Sequence, residues 1–401
     1  MGGLAVSAEQ RVAAAPEAVF ALFGAGPGAG WVFGASCDRM TVGAAVTLHA
    51  PLGGGPAPVE MLGRISALRA PSRIEIVHDQ PWRGRLRLRF DPDGRGGTRV
   101  RLVAELDGAG LEWLMRRHGF VVPGEPQRGE HRVGLLTSKS GPGSVFAAAV
   151  EYTVGLAVEE VNAEGGIRGR PLQLVVGDDA TDPGAGTVEA WRLVRAGCRT
   201  ILATTTSATF ARAARELRGS GVLLVHTVLN EGGLGGGLRM QLGERPESQL
   251  RAAAGAMMRL AGGRRWFLAG NDYVWPRVVH GAARRVLAEL GGLVVGEAFA
   301  PLGTREFAPL VERVLRSGAE VVLSSFVGAD LVAFERRCHA MGVRERSRTL
   351  ALALDEPTRE RIGDAAASGM WGVSGYFESL PGELNSAFRK RYRQVYGRFA
   401  P

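Results

Sequence analysis

The stretch from Asn162 to Asp182, NAEGGIRGRPLQLVVGDDATD, constrains the fold more than any other part of the chain. Gly165 and Gly166 can adopt the positive φ that ends a helix, because glycine has no β-carbon to clash there. Residues 167–171 predict a tight reversal, and residues 172–176 alternate and branch like a β-strand. The stretch therefore predicts a helix that stops and a strand that follows at once.

The residues before this stretch complete a βαβ unit. Residues 131–136 are predicted to be a strand, 137–143 a loop, and the helix begins at residue 144. Apolar residues recur along that helix at the spacing of one helical face; they are Val145, Ala148, Ala149, Tyr152, Leu156 and Val161. A strand, a helix and a second strand in this order predict a parallel sheet.

The same rhythm continues to the end of the chain and predicts an α/β fold with parallel strands. The later predicted strands are 200–203, 222–226, 239–242, 265–269, 293–300, 321–325, 349–353 and 372–376. The predicted helices are 144–163, 184–196, 207–219, 246–261, 276–290, 304–316, 328–341, 357–364 and 383–396.

The first 122 residues have a different pattern, which predicts an α+β unit. A strand at 6–12 and a helix at 16–23 precede strand-like segments at 40–50, 59–68, 73–79, 83–91 and 98–106. The turn sequence Asp91-Pro92-Asp93-Gly94 predicts a hairpin between the last two segments. A short helix is expected at 111–118, and residues 123–130 read as a linker.

Composition describes an ordinary folded protein, with 45% hydrophobic and 22% charged residues. The formal charge is +9, carried almost entirely by arginine, since Lys139 and Lys390 are the two lysines. The densest run, residues 83–90, alternates Arg with Leu, which places every Arg on one face of a strand. We interpret this as a solvated sheet face, with anionic-ligand or acidic-lipid binding as the alternative, and expect no nucleic-acid partner.

The second part of the chain resembles the type I periplasmic-binding-protein fold, in its branched-chain amino acid, amide and urea branch. The helix, NAEGGIRGRPL, the strand and DDATDP carry this resemblance. It implies two lobes within residues 131–401, lobe one at 131–245 and 376–401 and lobe two at 246–375. Members usually continue past the final helix, so the resemblance also implies that the usual C-terminal end is lacking.

The first part resembles the START-like (SRPBCC) helix-grip fold. The segments AAAPEAVFALF, VEMLGRI and DPDGRGGTRVRL carry this resemblance. It implies a curved sheet around an apolar interior, and two uses of that interior stay open: a solid core, or a cavity for a hydrophobic ligand. The aromatic residues that either use would involve are Trp31, Phe33, Trp82, Phe90 and Trp113, and the ionisable ones are His49, Glu60, Glu75 and His78.

Hydroxyl and glycine residues recur where predicted parallel strands end, which is where ligands bind in α/β sheets. Ser140 and Gly141 follow the first strand of this fold, and Thr206 and Ser207 follow the third. The alternative for each Ser or Thr is a helix cap. We predict that these residues bind a small polar ligand.

Further binding candidates come from segments that resemble the amide and urea branch. The segment 226–232 contains Thr227, and the run NDYVWPR places Tyr273 before a helix opened by proline. The resemblance puts this tyrosine at the cleft. Gly328 and the Asp355-Glu356 pair lie at later strand ends, where an acidic group accepts N–H bonds or holds an ammonium group. As alternatives, Asp355 or Glu356 caps the following helix.

These features predict a non-catalytic binding protein without cofactor or metal. Nucleophile-elbow, P-loop and metalloprotease motifs are absent from the sequence. The resemblance implies a regulator or an ABC transporter as partner. Neither a secretory leader pattern nor a membrane-length apolar run occurs, and the cysteines match no metal spacing. We therefore expect a cytoplasmic sensor without membrane insertion; the alternative is a START-like hydrophobic-ligand carrier or cyclase-type enzyme with a regulatory second domain.

Overall fold

A computed structural model of the chain describes residues 4–23, 36–37, 39–50, 59–79, 82–108, 110–111, 113, 129–234 and 236–397. The chain divides into two compact units, Met1–Glu125 and Pro126–Pro401. Most of the helix expected at 111–118 and of the linker at 123–130 lies outside the described residues, as do Trp31 and Phe33.

The first unit contains a seven-stranded antiparallel sheet in the order β1-β7-β6-β5-β4-β3-β2. Its strands are β1 Leu4–Val12, β2 Ser36–Cys37, β3 Ala45–Ala50, β4 Val59–Arg69, β5 Arg73–His78, β6 Gly84–Pro92 and β7 Thr98–Leu106, and helix α1 is Pro16–Ala21. The strand predicted from residue 40 begins only at Ala45. Residues before it form a turn, in which Gly43 has a φ of 93° and its amide bonds Ile65 O at 2.7 Å.

The arginine-rich strand β6 separates an apolar face from a charged one. Leu86, Leu88 and Phe90 are buried in the core of this unit. On the other face, Arg73, Arg85 and Arg87 lie within 2.5–3.6 Å of the Glu75 carboxylate. Burial acts to raise the pKa of Glu75, but the bond from Arg73 and the charges of the three arginines outweigh it and leave the pKa lowered.

The second unit contains two parallel five-stranded sheets, one in each lobe. Lobe one has the order β12-β11-β10-β8-β9, with β8 His131–Thr137, β9 Leu172–Asp178, β10 Thr200–Thr204, β11 Leu223–His226 and β12 Arg239–Gln241. Its helices are a 3₁₀ turn Pro142–Phe146, α2 Ala147–Ala163, α3 Pro183–Arg195 and α4 Ser207–Glu216. The sheet packs on α3 and α4 through buried side chains, among them Leu136, Leu193, Ile201, Phe210 and Leu224.

Lobe two has the order β14-β13-β15-β16-β17. The strands are β13 Arg265–Asn271, β14 Leu293–Ala300, β15 Val321–Ser325, β16 Arg348–Ala351 and β17 Met370–Gly372. The helices are α5 Pro246–Ala261, α6 Val274–Glu289, α7 Ala308–Arg316, α8 Gly328–Ala340, α9 Glu356–Ile362 and α10 Asp364–Ala367, with a 3₁₀ turn at Val343–Glu345. Hydrophobic clusters cover both faces of the sheet, as parallel strands require. The predicted two-lobed α/β fold with parallel sheets is confirmed.

The strand predicted at 372–376 is wrong, because β17 ends at Gly372. Side chains of α5 and of the segment just before it bond to the residues that follow Gly372. Gln249 donates to Val373 O at 2.7 Å, and Glu244 accepts hydrogen bonds from the Ser374 hydroxyl at 3.2 Å and from the Gly375 amide. The bonds to Glu244 tie together the two segments that connect the lobes.

The last described helix, α11 Glu383–Tyr396, packs on α2 of lobe one. Tyr396 stacks on Tyr152 with ring centroids 4.3 Å apart, and Tyr392 is fully buried. Arg391 pairs with Glu160 at 2.7 Å. No helix in the described part of the chain combines the length and the apolarity needed to cross a bilayer.

Candidate functional site

The loop after β8 is held by one carboxylate of the next strand. Asp178 Oδ1 accepts backbone hydrogen bonds from Lys139 at 2.9 Å, Ser140 at 3.2 Å and Ala180 at 2.9 Å. Asp178 Oδ2 accepts from the Ser140 hydroxyl at 2.8 Å. The Ser140 side chain is thus already engaged, and its observed role is to hold the loop in place.

Two predicted glycines lie on either side of Pro142. Gly141 has a φ of 79°, and a β-carbon there would be 2.4 Å from Ala180 O. Gly328, at the start of α8 in lobe two, has a φ of 56°, and a β-carbon there would be 2.1 Å from Pro142 O. Both positions require glycine, and at the second the two lobes are in direct contact.

Next to this contact, a hydroxyl in the 3₁₀ turn is left without a partner. The Ser144 hydroxyl oxygen is buried and has no hydrogen bond with the described residues. The residue follows Gly143, whose amide donates to Thr181 Oγ1 at 3.0 Å. Sequence reasoning did not select Ser144, because only the contact with lobe two brings it beside the cleft.

The hydroxyls after β10 differ in how far they are engaged. Thr206 caps α4 by accepting from the Thr209 amide at 3.3 Å, and Thr227 shares a 2.7 Å hydrogen bond with Thr204. The Ser207 hydroxyl makes no hydrogen bond to a described residue, although the residue is only 3% exposed. Ser207 is therefore the predicted hydroxyl in this group that stays available to a ligand.

His226 is buried beside this group of hydroxyl residues and is uncharged. Its ring stacks on Phe210 with centroids 4.3 Å apart, and its Nε2 lies 3.0 Å from Thr205 O. Burial lowers the pKa of His226, against the opposing effects of that carbonyl and of Glu231. The imidazole is accordingly uncharged at neutral pH.

Tyr273 lies in lobe two directly before α6, and α6 packs beside α4 of lobe one. The side chain is partly buried, and its hydroxyl makes no hydrogen bond to a described residue. Burial raises the pKa of Tyr273 far above its usual value, and the charges of Glu231 and Asp330 add to this. The phenol therefore stays protonated and can donate a hydrogen bond.

The two carboxylates near Tyr273 were not among the predicted site residues. Asp330 is 2% exposed and accepts from Asn271 Nδ2 at 2.6 Å and from the Gly303 amide at 2.8 Å. One oxygen of Glu231 is buried and accepts no hydrogen bond within the described part of the chain. Glu231 lies in segment 226–232, which follows a predicted strand and was identified from the sequence. This position is the signal by which Glu231 could have been found. Asp330 lies in the first turn of α8, and no sequence pattern marks it.

Asp355 and Glu356 are engaged in structural bonds. Asp355 caps α9 by accepting from the Thr358 amide at 2.8 Å, and burial raises the pKa of Asp355 against this bond. Glu356 accepts from the Glu378 amide at 2.6 Å. Asp355 therefore acts as a helix cap, the alternative given for it above. Glu356 connects α9 to the second inter-lobe segment, which contains Glu378. Within the described residues, no three His, Cys, Asp or Glu side chains are grouped as metal ligands would be.

Comparison with known proteins identifies relatives of this chain. A Leu/Ile/Val-binding protein of Rhizobium johnstonii is 27% identical over 197 residues, which are 47% of this chain and 53% of that protein. Leu/Ile/Val-binding protein homolog 2 of Brucella abortus is 36% identical over 70 residues, 18% of this chain and 19% of the relative. The chain thus spans about half the length of the first of these relatives and less of the second.

Solved structures show the same fold. A solute binding protein of an ABC transporter from R. palustris, in complex with 4-hydroxybenzoate, has a TM-score of 0.60 at 19% identity, over 67% of this chain and 74% of that one. A leucine-, isoleucine-, valine-, threonine- and alanine-binding protein from Brucella ovis, in its closed conformation, has a TM-score of 0.58 at 19% identity, over 67% and 72%. The sequence profile of the family described as periplasmic binding protein matches residues 130–401. The chain belongs to the periplasmic binding protein family.

Proposed function

We propose that the second unit is a non-catalytic receptor that binds a small polar molecule with N–H groups, an amide, a urea or an amino acid, between its lobes. The observation that carries the proposal is a set of unengaged polar groups on neighbouring elements. Ser207 begins α4, Tyr273 precedes the adjacent helix α6, and Glu231 follows β11 with a buried oxygen that accepts no described hydrogen bond. Unengaged buried polar groups are costly, so a ligand that bonds them gains affinity.

The chemistry of these groups defines the ligand. Glu231 accepts N–H bonds from an amide, a urea or an ammonium group. The Ser207 hydroxyl and the free amides at the start of α4 suit a carbonyl or carboxylate oxygen, since a helix N-terminus favours negative charge. The relatives named above bind leucine, isoleucine and valine, or 4-hydroxybenzoate. A ligand with N–H groups at one end and a carbonyl or carboxylate at the other fits these groups.

The test is calorimetric titration of the full chain with acetamide, urea, leucine and 4-hydroxybenzoate. Ser207→Ala, Tyr273→Phe and Glu231→Gln should each weaken binding of the recognised ligand about tenfold, the loss of one hydrogen bond. Thr304→Ala, whose hydroxyl only donates to Pro301 O at 2.6 Å, is the matched control. An ammonium-bearing ligand should lose more than a neutral amide on Glu231→Gln, because a charge is removed.

Two results would refute this proposal. One is a well-folded chain that binds none of acetamide, urea and leucine, whether or not it binds 4-hydroxybenzoate, which has no N–H group. The other is binding that all three site variants leave at the strength of the control, because the ligand would then lie elsewhere.

We further propose that this receptor works as a cytoplasmic sensor and passes its signal to a regulator or an ABC transporter. The chain's three cysteines, Cys37, Cys198 and Cys338, are buried and form no disulfide with one another, which suits a reducing compartment. Burial raises the pKa of Cys198 to about 11, so its thiol stays protonated and unreactive. Fractionation of cells that express the native gene tests the location, and recovery of the protein outside the cytoplasm would contradict it.

For the first unit we propose a START-like helix-grip module, with a hydrophobic ligand as its cargo. Support comes from the sheet, in which β1 pairs with β7 and α1 follows β1, and from an aromatic interior. Trp82 and Trp113 are buried with rings 5.7 Å apart, and the buried His78 lies edge-on to Trp82 at 5.5 Å. Titration of the full chain with a fluorescent fatty acid, with Trp82→Phe as variant, tests this. The absence of saturable binding would favour a solid core.

A further inference from the structure

Lobe one carries a second concavity, separate from the ligand cleft. Its volume is about 580 Å³, and it lies between the C-terminal half of α4, the turn at 218–221 and residues 233–234 and 236–239. These segments precede β11 and β12, so the concavity lies at the amino ends of parallel strands, whereas the cleft residues lie at carboxyl ends. A ligand bound there would not contact the cleft.

The lining of this pocket is positively charged. Arg215, Arg218 and Arg239 line it, and none of its lining residues is acidic. The guanidinium groups of Arg215 and Arg218 form no hydrogen bond or ion pair with a described residue. Arg239 donates to Ala214 O at 3.1 Å and to Leu238 O at 3.0 Å, which fixes its plane and leaves its Nη2 group unused. The nearest acidic residue in sequence is Glu216, which is exposed and not part of the lining.

Backbone amides add further donors to the same pocket. Gly219, Gly221 and Gly233 have φ values of 81°, 73° and 84°, and a β-carbon on any of them would meet no atom within 4 Å. Their amides donate to no acceptor in the described backbone. Backbone in this conformation, open on one side, is typical of anion-binding turns. Gly233, Gly236 and Gly237 line this pocket and are not part of the cleft described above.

We propose that this pocket binds a small organic phosphate. The planar guanidinium group of arginine matches the geometry and charge of phosphate oxygens. Three arginines in one concavity carry more positive charge than is needed to neutralise a single carboxylate, which favours phosphate as the ligand. Ala211, Ala214, Leu234 and Leu238 offer an apolar wall for the organic part of the ligand. The volume lies in the range of small-molecule sites. This site goes beyond the receptor function proposed above and does not depend on it.

The test is titration of the full chain with pyrophosphate and with adenosine monophosphate, by calorimetry, at low and at physiological ionic strength. We expect one site per chain, and binding at least about tenfold weaker in the Arg215→Ala/Arg218→Ala double variant. The control is Arg259→Ala/Arg305→Ala, which removes the same charge from exposed arginines of lobe two. Leu238→Glu is a second variant, which places a carboxylate at the pocket wall and leaves all three arginines intact.

A phosphate group can belong to a soluble metabolite or to a lipid headgroup, and a parallel arm separates the two. If the ligand is a soluble metabolite, the wild type should co-sediment with phosphatidylcholine vesicles that contain phosphatidate no more than the Arg215→Ala/Arg218→Ala variant does. Equal loss of pyrophosphate binding in the pocket and control variants would show general charge attraction and overturn the proposal. Absence of saturable binding to both pyrophosphate and adenosine monophosphate would overturn the proposal as well. A double variant that is less stable than the wild type but binds the probes as tightly would also overturn it.

Discussion

Gly328 of lobe two lies against the carbonyl oxygen of Pro142 in lobe one, so closely that a β-carbon would be 2.1 Å from that oxygen. The φ of Gly328 is 56°, which glycine adopts at little cost. The start of α8 can thus reach the 3₁₀ turn at Pro142–Phe146, where the unpaired Ser144 hydroxyl is buried. This one contact brings the predicted glycine of lobe two to the predicted loop of lobe one.

Replacement Gly328→Ala is therefore expected to hold the lobes apart. Backbone strain at a positive φ costs about 1–2 kcal/mol, and the clash with Pro142 adds to it. Gly262→Ala is the control, since Gly262 has a φ of 67° but no atom within 4 Å of a β-carbon. We expect both variants to lose thermal stability, whereas faster hydrogen exchange at residues 144–146 and weaker ligand binding should occur only in Gly328→Ala. Equal behaviour of the two variants would mean that the contact is incidental.

The two inter-lobe segments offer a second prediction. Glu244 in one segment accepts hydrogen bonds from the Ser374 hydroxyl at 3.2 Å and from the Gly375 amide in the other. Glu244→Ala should leave these donors to water and increase hydrogen exchange at residues 373–377, while the cores of both lobes stay protected. Glu312→Ala, which removes only an exposed partner 3.7 Å from Arg316, should change nothing at those residues. Unchanged hydrogen exchange in Glu244→Ala would show that other contacts hold the two inter-lobe segments together.

Two buried histidines each contribute a part of the chain's stability that should be lost in mild acid. Burial lowers the pKa of both His226 and His280 below the usual value, although Glu297 acts in the opposite direction on His280. Between the folded and unfolded pKa values the unfolded chain binds more protons. Their contribution is therefore complete above about pH 6.5 and is lost as the pH falls towards the folded pKa.

Asp179 titrates with the opposite sign, because burial raises its pKa to about 6. Its contribution is present at low pH and is lost as the pH rises through that value. The histidine effect is therefore measured as a difference between wild type and His226→Gln, in urea unfolding from pH 7.5 to 5. The variant should lose less stability on acidification, and His339→Gln, at an exposed histidine, should follow the wild type. Parallel curves for wild type and His226→Gln would refute the assignment.

The fold was predictable wherever local patterns determine it. In the stretch that ends α2, Gly165 and Gly166 have φ values of 97° and 74°, as the helix stop requires. The strand that follows extends over Leu172–Asp178, and Asn162 fastens the two elements by bonding the Leu172 amide at 2.6 Å and its carbonyl at 2.9 Å. The helix stop follows from the positions of the glycines, and the strand follows from the spacing of the apolar residues; both can be read from the local sequence. The side-chain clamp by Asn162 is a detail that no period encodes.

The site was predictable only in outline. Strand ends indicate which loops can meet. The start of α8 at Gly328 contacts Pro142 across the lobes, and α4, which begins at Ser207, packs beside α6, which follows Tyr273. Which hydroxyl is free depends on partners far away in sequence. Ser140 is engaged by a carboxylate 38 residues later, whereas Ser207 has no described partner. Asp330 is recruited by Asn271, 59 residues before it. Such pairs follow from the packing of separate loops, which strand and helix patterns do not specify.

The final prediction concerns the carboxylate that organises the lobe-one loop. Asp178→Ala would leave the amides of Lys139, Ser140 and Ala180 and the Ser140 hydroxyl without their acceptor. Hydrogen bonds to a charged acceptor are worth more than neutral ones, and losing this set should cost about 3 kcal/mol in the free energy of unfolding. Asp182→Ala is the control, because it removes a single helix cap, the 2.8 Å bond from the Ala185 amide, at a cost of about 1 kcal/mol.

The two variants should also differ in ligand binding. The loop that Asp178 holds continues into the 3₁₀ turn that meets Gly328, so its release should weaken binding in the cleft. Asp182 bonds only the start of α3 and none of the residues of the loop that Asp178 holds, so its loss should leave the affinity unchanged. Urea unfolding gives the stability difference and calorimetry gives the affinity. If Asp178→Ala costs no more stability than Asp182→Ala and binds ligand as tightly, then the loop keeps its conformation without this carboxylate.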